Sequence, residues 1–138
     1  MERNAAQSPP GVSSAKTMQD QLRALLRVHH GNLLHQIDRL GQMLAKIDAS
    51  DAGCAGAIAE AEGLAHQIKG AGGSIGFAEI SRTATELDDR LKTLAALQGA
   101  VTADQAQAAL ALFAELERIA GQTTPESSTL YNADLSGT

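Results

Sequence analysis

The sequence predicts an all-α protein, an antiparallel up-down four-helix bundle with flexible N- and C-terminal arms, and three observations carry that prediction. Of its 138 residues 43% are hydrophobic but only 2% aromatic, so the apolar content lies in Ala, Leu and Ile. The three prolines, Pro9, Pro10 and Pro125, stand near the ends and leave Gly11–Thr124 free of proline. Between them, apolar residues recur at steps of three and four, the spacing of one helix face. Ala loses no side-chain entropy in a helix and Leu loses little, so this composition favours helix over a β-sandwich or a Rossmann-type α/β domain. The length suits one domain, divided into an arm over 1–14, the bundle over 15–120 and a tail over 121–138.

The arm holds Ser8-Pro9-Pro10-Gly11, a turn-forming run. The first helix is expected from about Thr17, an N-cap with Asp20 three residues on, to Ile47. Its stripe is Met18, Leu22, Leu25, His29, Leu33, Ile37, Leu40, Leu44 and Ile47. Gly31 in the middle costs about 1 kcal/mol relative to Ala, but the unbroken stripe argues for one long helix. Ser50 or Asp51 caps the second helix, whose stripe is Cys54, Ile58, Ala61, Ala65, Ile68, Gly72 and Ile75. Gly76 suits the C′ position of its end, with Phe77 supplying the apolar contact of a Schellman-type stop. The third helix carries Phe77, Ile80, Ala84, Leu87, Leu91 and Leu94. After a turn at Gly99-Ala100-Val101, Thr102 caps the fourth helix and Gln105 completes a capping box. The fourth stripe is Ala106, Leu110, Phe113, Leu116 or Glu117, and Ile119 or Ala120. Short connections between the stripes make neighbouring helices antiparallel. From Gly121 onward, Thr123, Thr124, Pro125, Ser127 and Ser128 read as tail.

Charge narrows the function classes. Eleven Lys+Arg face sixteen Asp+Glu, a net charge of −5, and the basic residues are scattered. Nucleic acid and anionic membrane surfaces both call for clustered positive charge, so neither is an expected partner. Scarce rings also disfavour base stacking. The chain has no apolar run of about 18 residues to span a bilayer, and no apolar stretch follows Met1-Glu2-Arg3-Asn4 as a secretory leader would. A single cysteine, Cys54, cannot form an internal disulfide and reads as a small buried thiol in a reducing, cytoplasmic setting.

Chemistry centres on the four histidines, His29, His30, His35 and His66. Metal ligands on a helix usually stand three or four residues apart. The first three do not, so no metal is expected; His29, on the stripe, reads as half-buried and hydrogen-bonded, and His30 and His35 as surface groups. His66 differs in its surroundings. At 100° per residue, Ala59, Gly63, Gly70 and Gly73 lie within about 60° of it around the helix, a face nearly stripped of side chains. These glycines, with Gly72 on the core side, cost on the order of 3–4 kcal/mol of helix propensity. Close helix packing is one return on that cost; a bare face for another protein's active site is the other. Ala65, Ile68, Gly72 and Ile75 mark the core, and His66 lies about 100–160° from Ala65 and Ile68, which puts the imidazole outside the bundle. Lys69, one turn on, can screen a negative group carried by that ring, or can lie as an ordinary surface lysine.

The run Ala65-His66-Gln67-Ile68-Lys69-Gly70-Ala71-Gly72-Gly73-Ser74-Ile75-Gly76-Phe77 closely resembles the signature of histidine-containing phosphotransfer (HPt) domains. Its His-x-apolar-Lys-Gly core, the glycine ten residues after the histidine (Gly76), Ile80 and Leu87-Asp88 all match the family pattern; the extra Gly63 and Gly72 and the long arm depart from it. The resemblance implies a stand-alone phosphorelay intermediate, a phosphocarrier rather than an enzyme. His66 would take a phosphoryl group from a receiver-domain aspartyl phosphate and pass it to another receiver. Lys69 would offset phosphate charge, Gly70 would keep the approach clear, and Gln67 would hydrogen-bond nearby. Ala59, Gly63 and Gly73 would form the docking face. Lys92 either points back toward this face or simply pairs with Asp88 one turn before it. No cofactor of its own is implied: the receiver brings the Mg²⁺, and no Gly-rich P-loop offers an ATP site. The implied partners are receiver domains of response regulators or hybrid histidine kinases, approached as a monomer. The alternative is an adaptor of the same fold that binds a receiver or kinase without phosphorylation.

Overall fold

Four helices account for nearly all of the structure, a computed structural model that describes residues 12–48, 54–97 and 101–133. They are α1 (Val12–Asp48), α2 (Cys54–Ser74), α3 (Ala78–Ala96) and α4 (Ala103–Gly121), followed by one 3-10 turn, Pro125–Ser127. Each packs on the next in sequence and α4 closes back on α1, the ring of contacts of a four-helix bundle. The core is the set of stripes read above: Leu33, Ile37, Leu40, Leu44 and Ile47 of α1, Ile58, Ala61, Ala65 and Ile68 of α2, and Ile80, Ala84, Leu87, Leu91 and Leu94 of α3. Burying a Leu or Ile side chain contributes roughly 1.5–3 kcal/mol, so these layers are the main source of stability. In α4 the stripe resolves to Leu116 rather than Glu117, and Ile119 and Ala120 are both buried.

Two of the helix ends form as their sequences require. Thr102 Oγ1 accepts from the Gln105 backbone N–H and the Gln105 side chain accepts from the Thr102 N–H, a complete capping box. At the end of α2 the Phe77 N–H reaches the Gly72 carbonyl at 2.8 Å and the Gly76 N–H reaches Gly73 at 3.4 Å, both bonds of a Schellman stop. Gly76 takes φ +86°, the left-handed conformation that favours glycine. Ser50 and Asp51, the caps expected for α2, lie outside the described residues, as do Gly99, Ala100 and the Cys54 side chain.

Three expectations need correction. The first helix starts at Val12, so Thr17 is an exposed residue inside it and not its N-cap, and the arm does not extend to residue 14. A threonine caps a helix only where the chain stops being helical, and the breaking run Pro9-Pro10-Gly11 lies before Val12. The first half of the α1 stripe is also rotated. Met18 and Leu25 are 51% and 54% exposed and His29 is exposed, whereas Leu26 and His30 are buried. Counting back from Leu33, steps of three and four reach either Leu25 through His29 or Leu26 through His30, and periodicity does not choose between them. Tertiary contact does: His30 lies 5.3 Å from the Phe77 ring and hydrogen-bonds Thr123 Oγ1 at 2.9 Å.

The third correction concerns the tail from 121. Residues 122–133 fold back along the bundle. At 1.5 Å per residue the 37-residue α1 is about 24 Å longer than α2, and this segment covers part of the overhang. Arg23 Nε donates to the Tyr131 carbonyl at 3.0 Å, and its guanidinium lies 4.3 Å over the Tyr131 ring. Ser128, buried, donates to the Ile75 carbonyl, and the Thr129 N–H to that of Gly76. Turn-forming composition fixes a lack of helix there, not a lack of order.

Candidate functional site

His66 stands midway along α2 with 63% of its side chain exposed, on the outer side of the helix where the stripe places it. Its surroundings are sparse. A Cβ at Gly63 or Gly70 would meet nothing within 4 Å, and Ala59 is exposed. Gly72 has a different role: a Cβ there would come 3.2 Å from Ile80 Cγ2 and 3.3 Å from the Ser81 backbone nitrogen. That glycine lets α2 and α3 close up. Gly73, exposed but with a Cβ position 3.3 Å from Ser81 Oγ, belongs partly to the same contact. Close helix packing and an open face are therefore both present on one helix.

The approach of α3 brings a carboxylate under the imidazole. Asp88 Oδ2 lies 3.4 Å from His66 Nδ1 and 3.5 Å from Lys92 Nζ, while the Asp88 side chain is wholly buried. Both alternatives for Lys92 hold at once: it pairs with Asp88 one turn away and thereby sits beside the His66 face. An ionised carboxylate only accepts, so a hydrogen bond at this contact requires the proton on His66 Nδ1, the tautomer in which Nε2 keeps its lone pair. The 3.4 Å separation is longer than the usual 2.7–3.2 Å, as is common at sites that tighten on engaging a substrate.

Glu62, one turn before His66, completes the cluster. Ligand-type atoms of Glu62, His66 and Asp88 all lie within 4.8 Å of one another, and the Lys92 ammonium meets their negative charge. Burial alone would raise the Asp88 pKa, but hydrogen bonds with Glu62 and His66 and the nearby Lys92 hold it below the ordinary aspartate value. Glu62 moves the opposite way, raised by its hydrogen bond to Asp88 and by partial burial. Two carboxyls this close do not both ionise freely, and the buried one beside the Lys92 ammonium keeps the charge.

The other expected residues fall around this centre. Lys69 is half-buried and makes no ion pair among the described residues, which leaves its ammonium available; its carbonyl accepts from Ser81 Oγ at 2.9 Å. Gln67 is exposed but about 100° round the helix from His66, so the structure does not bring it into the cluster. Sequence reasoning missed Glu62 altogether and took Asp88 only as part of a motif and as a pairing partner of Lys92. A signal existed for each: Asp88 is an acid on the buried stripe between Ala84 and Leu91, and Glu62 precedes His66 by one turn.

Fold and site together define a class, a helical bundle that presents one exposed imidazole on a helix face opened by glycines. Comparison with known families agrees: the Hpt domain profile matches residues 12–122, and the chain belongs to that family. It therefore has a histidine-phosphotransfer role in phosphorelay signalling, that of a phosphocarrier, in a family that works with receiver domains of two-component systems. No curated protein and no solved structure matches the chain. Among the described residues no helix is long and apolar enough to cross a membrane.

Proposed function

We propose that His66 is the phosphoacceptor and that the protein relays a phosphoryl group between receiver domains, as a monomer in the cytoplasm. The observation that carries this reading is the exposed imidazole held through Nδ1 by a buried carboxylate, on a helix face where Gly63 and Gly70 leave open space. In the transfer step the Nε2 lone pair attacks phosphorus. The P–O bond to the donor aspartate breaks, and that oxygen leaves with its electron pair as a carboxylate. The ring keeps its Nδ1 proton and gains a formal positive charge, which Asp88 stabilises much as a buried aspartate stabilises an imidazolium in an acyl-transfer triad. Lys69, and Lys92 at the rim, offset the phosphoryl charge, while the Mg²⁺ is the receiver's.

A receiver domain loaded with radioactive phosphate and mixed with the purified protein tests the proposal. The expected result is acid-labile, base-stable label on the wild type and none on His66→Gln. Label on His66→Gln would move the acceptor elsewhere. A wild type that binds the receiver without taking label would make the chain an adaptor.

A further inference from the structure

Phosphoryl acceptance by His66 uses one oxygen of Asp88; the other is unexplained. Asp88 Oδ2 faces both the imidazole and Lys92, whereas Oδ1 is buried with no hydrogen-bond partner. A buried carboxylate oxygen without a donor is unfavourable, and such atoms are rare in folded proteins. The group beside it is another carboxyl, Glu62, within hydrogen-bonding reach of Asp88. If both were ionised, two negative charges would share a partly buried site and Oδ1 would stay unpaired. If Glu62 carries a proton, its O–H gives the Asp88 carboxylate a further donor and the repulsion disappears.

We propose that Glu62 is a positioning residue for His66: in its protonated form its carboxyl donates to Asp88, which leaves Asp88 a single fixed carboxylate for the His66 Nδ1–H. The inference rests on the phosphocarrier reading and extends it to a residue one step removed from the reacting atoms. A neutral Glu62 has a second consequence. It keeps an extra negative charge away from the ring nitrogen on which three phosphoryl oxygens must settle, where a like charge would oppose transfer. The charged and titratable groups facing Glu62 among the described residues are Asp88 and Lys92 from α3 and His66 from its own helix. Lys92 and His66 favour its ionised form; the bond to Asp88 and burial outweigh them.

The test uses the full chain, labelled with ¹⁵N in its histidine rings, and phosphoramidate as the phosphoryl donor. In that reaction the N–P bond to Nε2 forms as the donor's P–N bond breaks and ammonia leaves. Wild type, Glu62→Gln and Glu62→Ala are compared from pH 4.5, the ordinary value from which Glu62 is raised, up to pH 9. Gln keeps a hydrogen-bond donor and cannot ionise; Ala removes the donor. The expected ratio of wild-type to Glu62→Gln uptake rate falls at least about threefold as pH rises and Glu62 loses its proton. Glu62→Ala loses much of the Nδ1–H signature of the His66 ring and takes up phosphoryl groups more slowly throughout. A ratio flat with pH, or a Glu62→Ala protein with wild-type ring shifts and rate, overturns the proposal. Should wild type take up no phosphoryl group while the ring shifts still change in Glu62→Ala, the positioning role stands and the phosphocarrier reading is what fails.

Discussion

Asp88 is the residue at which stability and function pull apart. A buried carboxylate is rarely an optimal core group, because its desolvation is only repaid by close partners. Here those partners, His66 and Lys92, are themselves more than half exposed and lose little when released to water. Asp88→Leu is therefore expected to unfold at the same or a higher urea concentration than wild type. Phosphoryl uptake should fall about ten- to a hundredfold, because the ring is no longer held in one tautomer and orientation. A marked loss of stability with uptake intact would show that Asp88 serves the fold and not His66. Glycines on the same face divide similarly. Gly70→Ala adds a methyl into open space and should stabilise the helix by about 1 kcal/mol, seen as a raised Tm, while weakening receiver docking. Gly72→Ala meets Ile80 and the α3 backbone and should lower Tm instead.

At the scale of elements, what was legible in the sequence was whatever local rules determine. The α3 stripe, the capping box at Thr102 and the left-handed Gly76 each follow from a few neighbouring residues and a fixed geometry. The histidine centre was legible for the same reason: one turn of α2 holds His66, Lys69 and Gly70. The Asp88 contact was not, since it depends on how closely α3 approaches α2, which Gly72 and Ser81 decide together. Nor was the register of the first half of α1, where Leu25 and Leu26 offer equivalent periodicities and only the later arrival of Phe77 and Thr123 selects one. Gly76 joins local rule to tertiary contact. A Cβ there would be strained by φ +86° and would approach the Thr129 nitrogen to 2.9 Å. Gly76→Ala should cost at least about 1–2 kcal/mol in denaturant unfolding, more than a surface Gly→Ala change that usually stabilises a helix.

For the molecule as a whole, the segment after α4 ties the overhanging end of α1 to the α2–α3 turn, and almost all of it lies beyond the residues 12–122 shared with the family. Four of its ties are the bonds of Thr123 to His30, Ser128 to Ile75, Thr129 to Gly76 and Tyr131 to Arg23. At about 0.5–1.5 kcal/mol each, removing 123–138 should lower stability by about 2–6 kcal/mol while leaving His66, at the middle of α2, able to accept a phosphoryl group. His30 makes this tie sensitive to acid. Burial lowers its pKa below the ordinary imidazole value, an effect partly countered by Glu126. The unfolded chain binds a proton on this ring near pH 6.5, but the folded protein does so only at lower pH. The stability contributed by neutral His30 is thus fully present above about pH 6.5 and declines as pH falls toward the folded-state value. Wild type should therefore lose more Tm between pH 7.5 and pH 5 than His30→Gln, which keeps a polar partner for Thr123 and cannot titrate in this range. Carboxylates protonate alike in both proteins, so the difference isolates the histidine. Equal losses would show that protonation of His30 does not loosen the bundle.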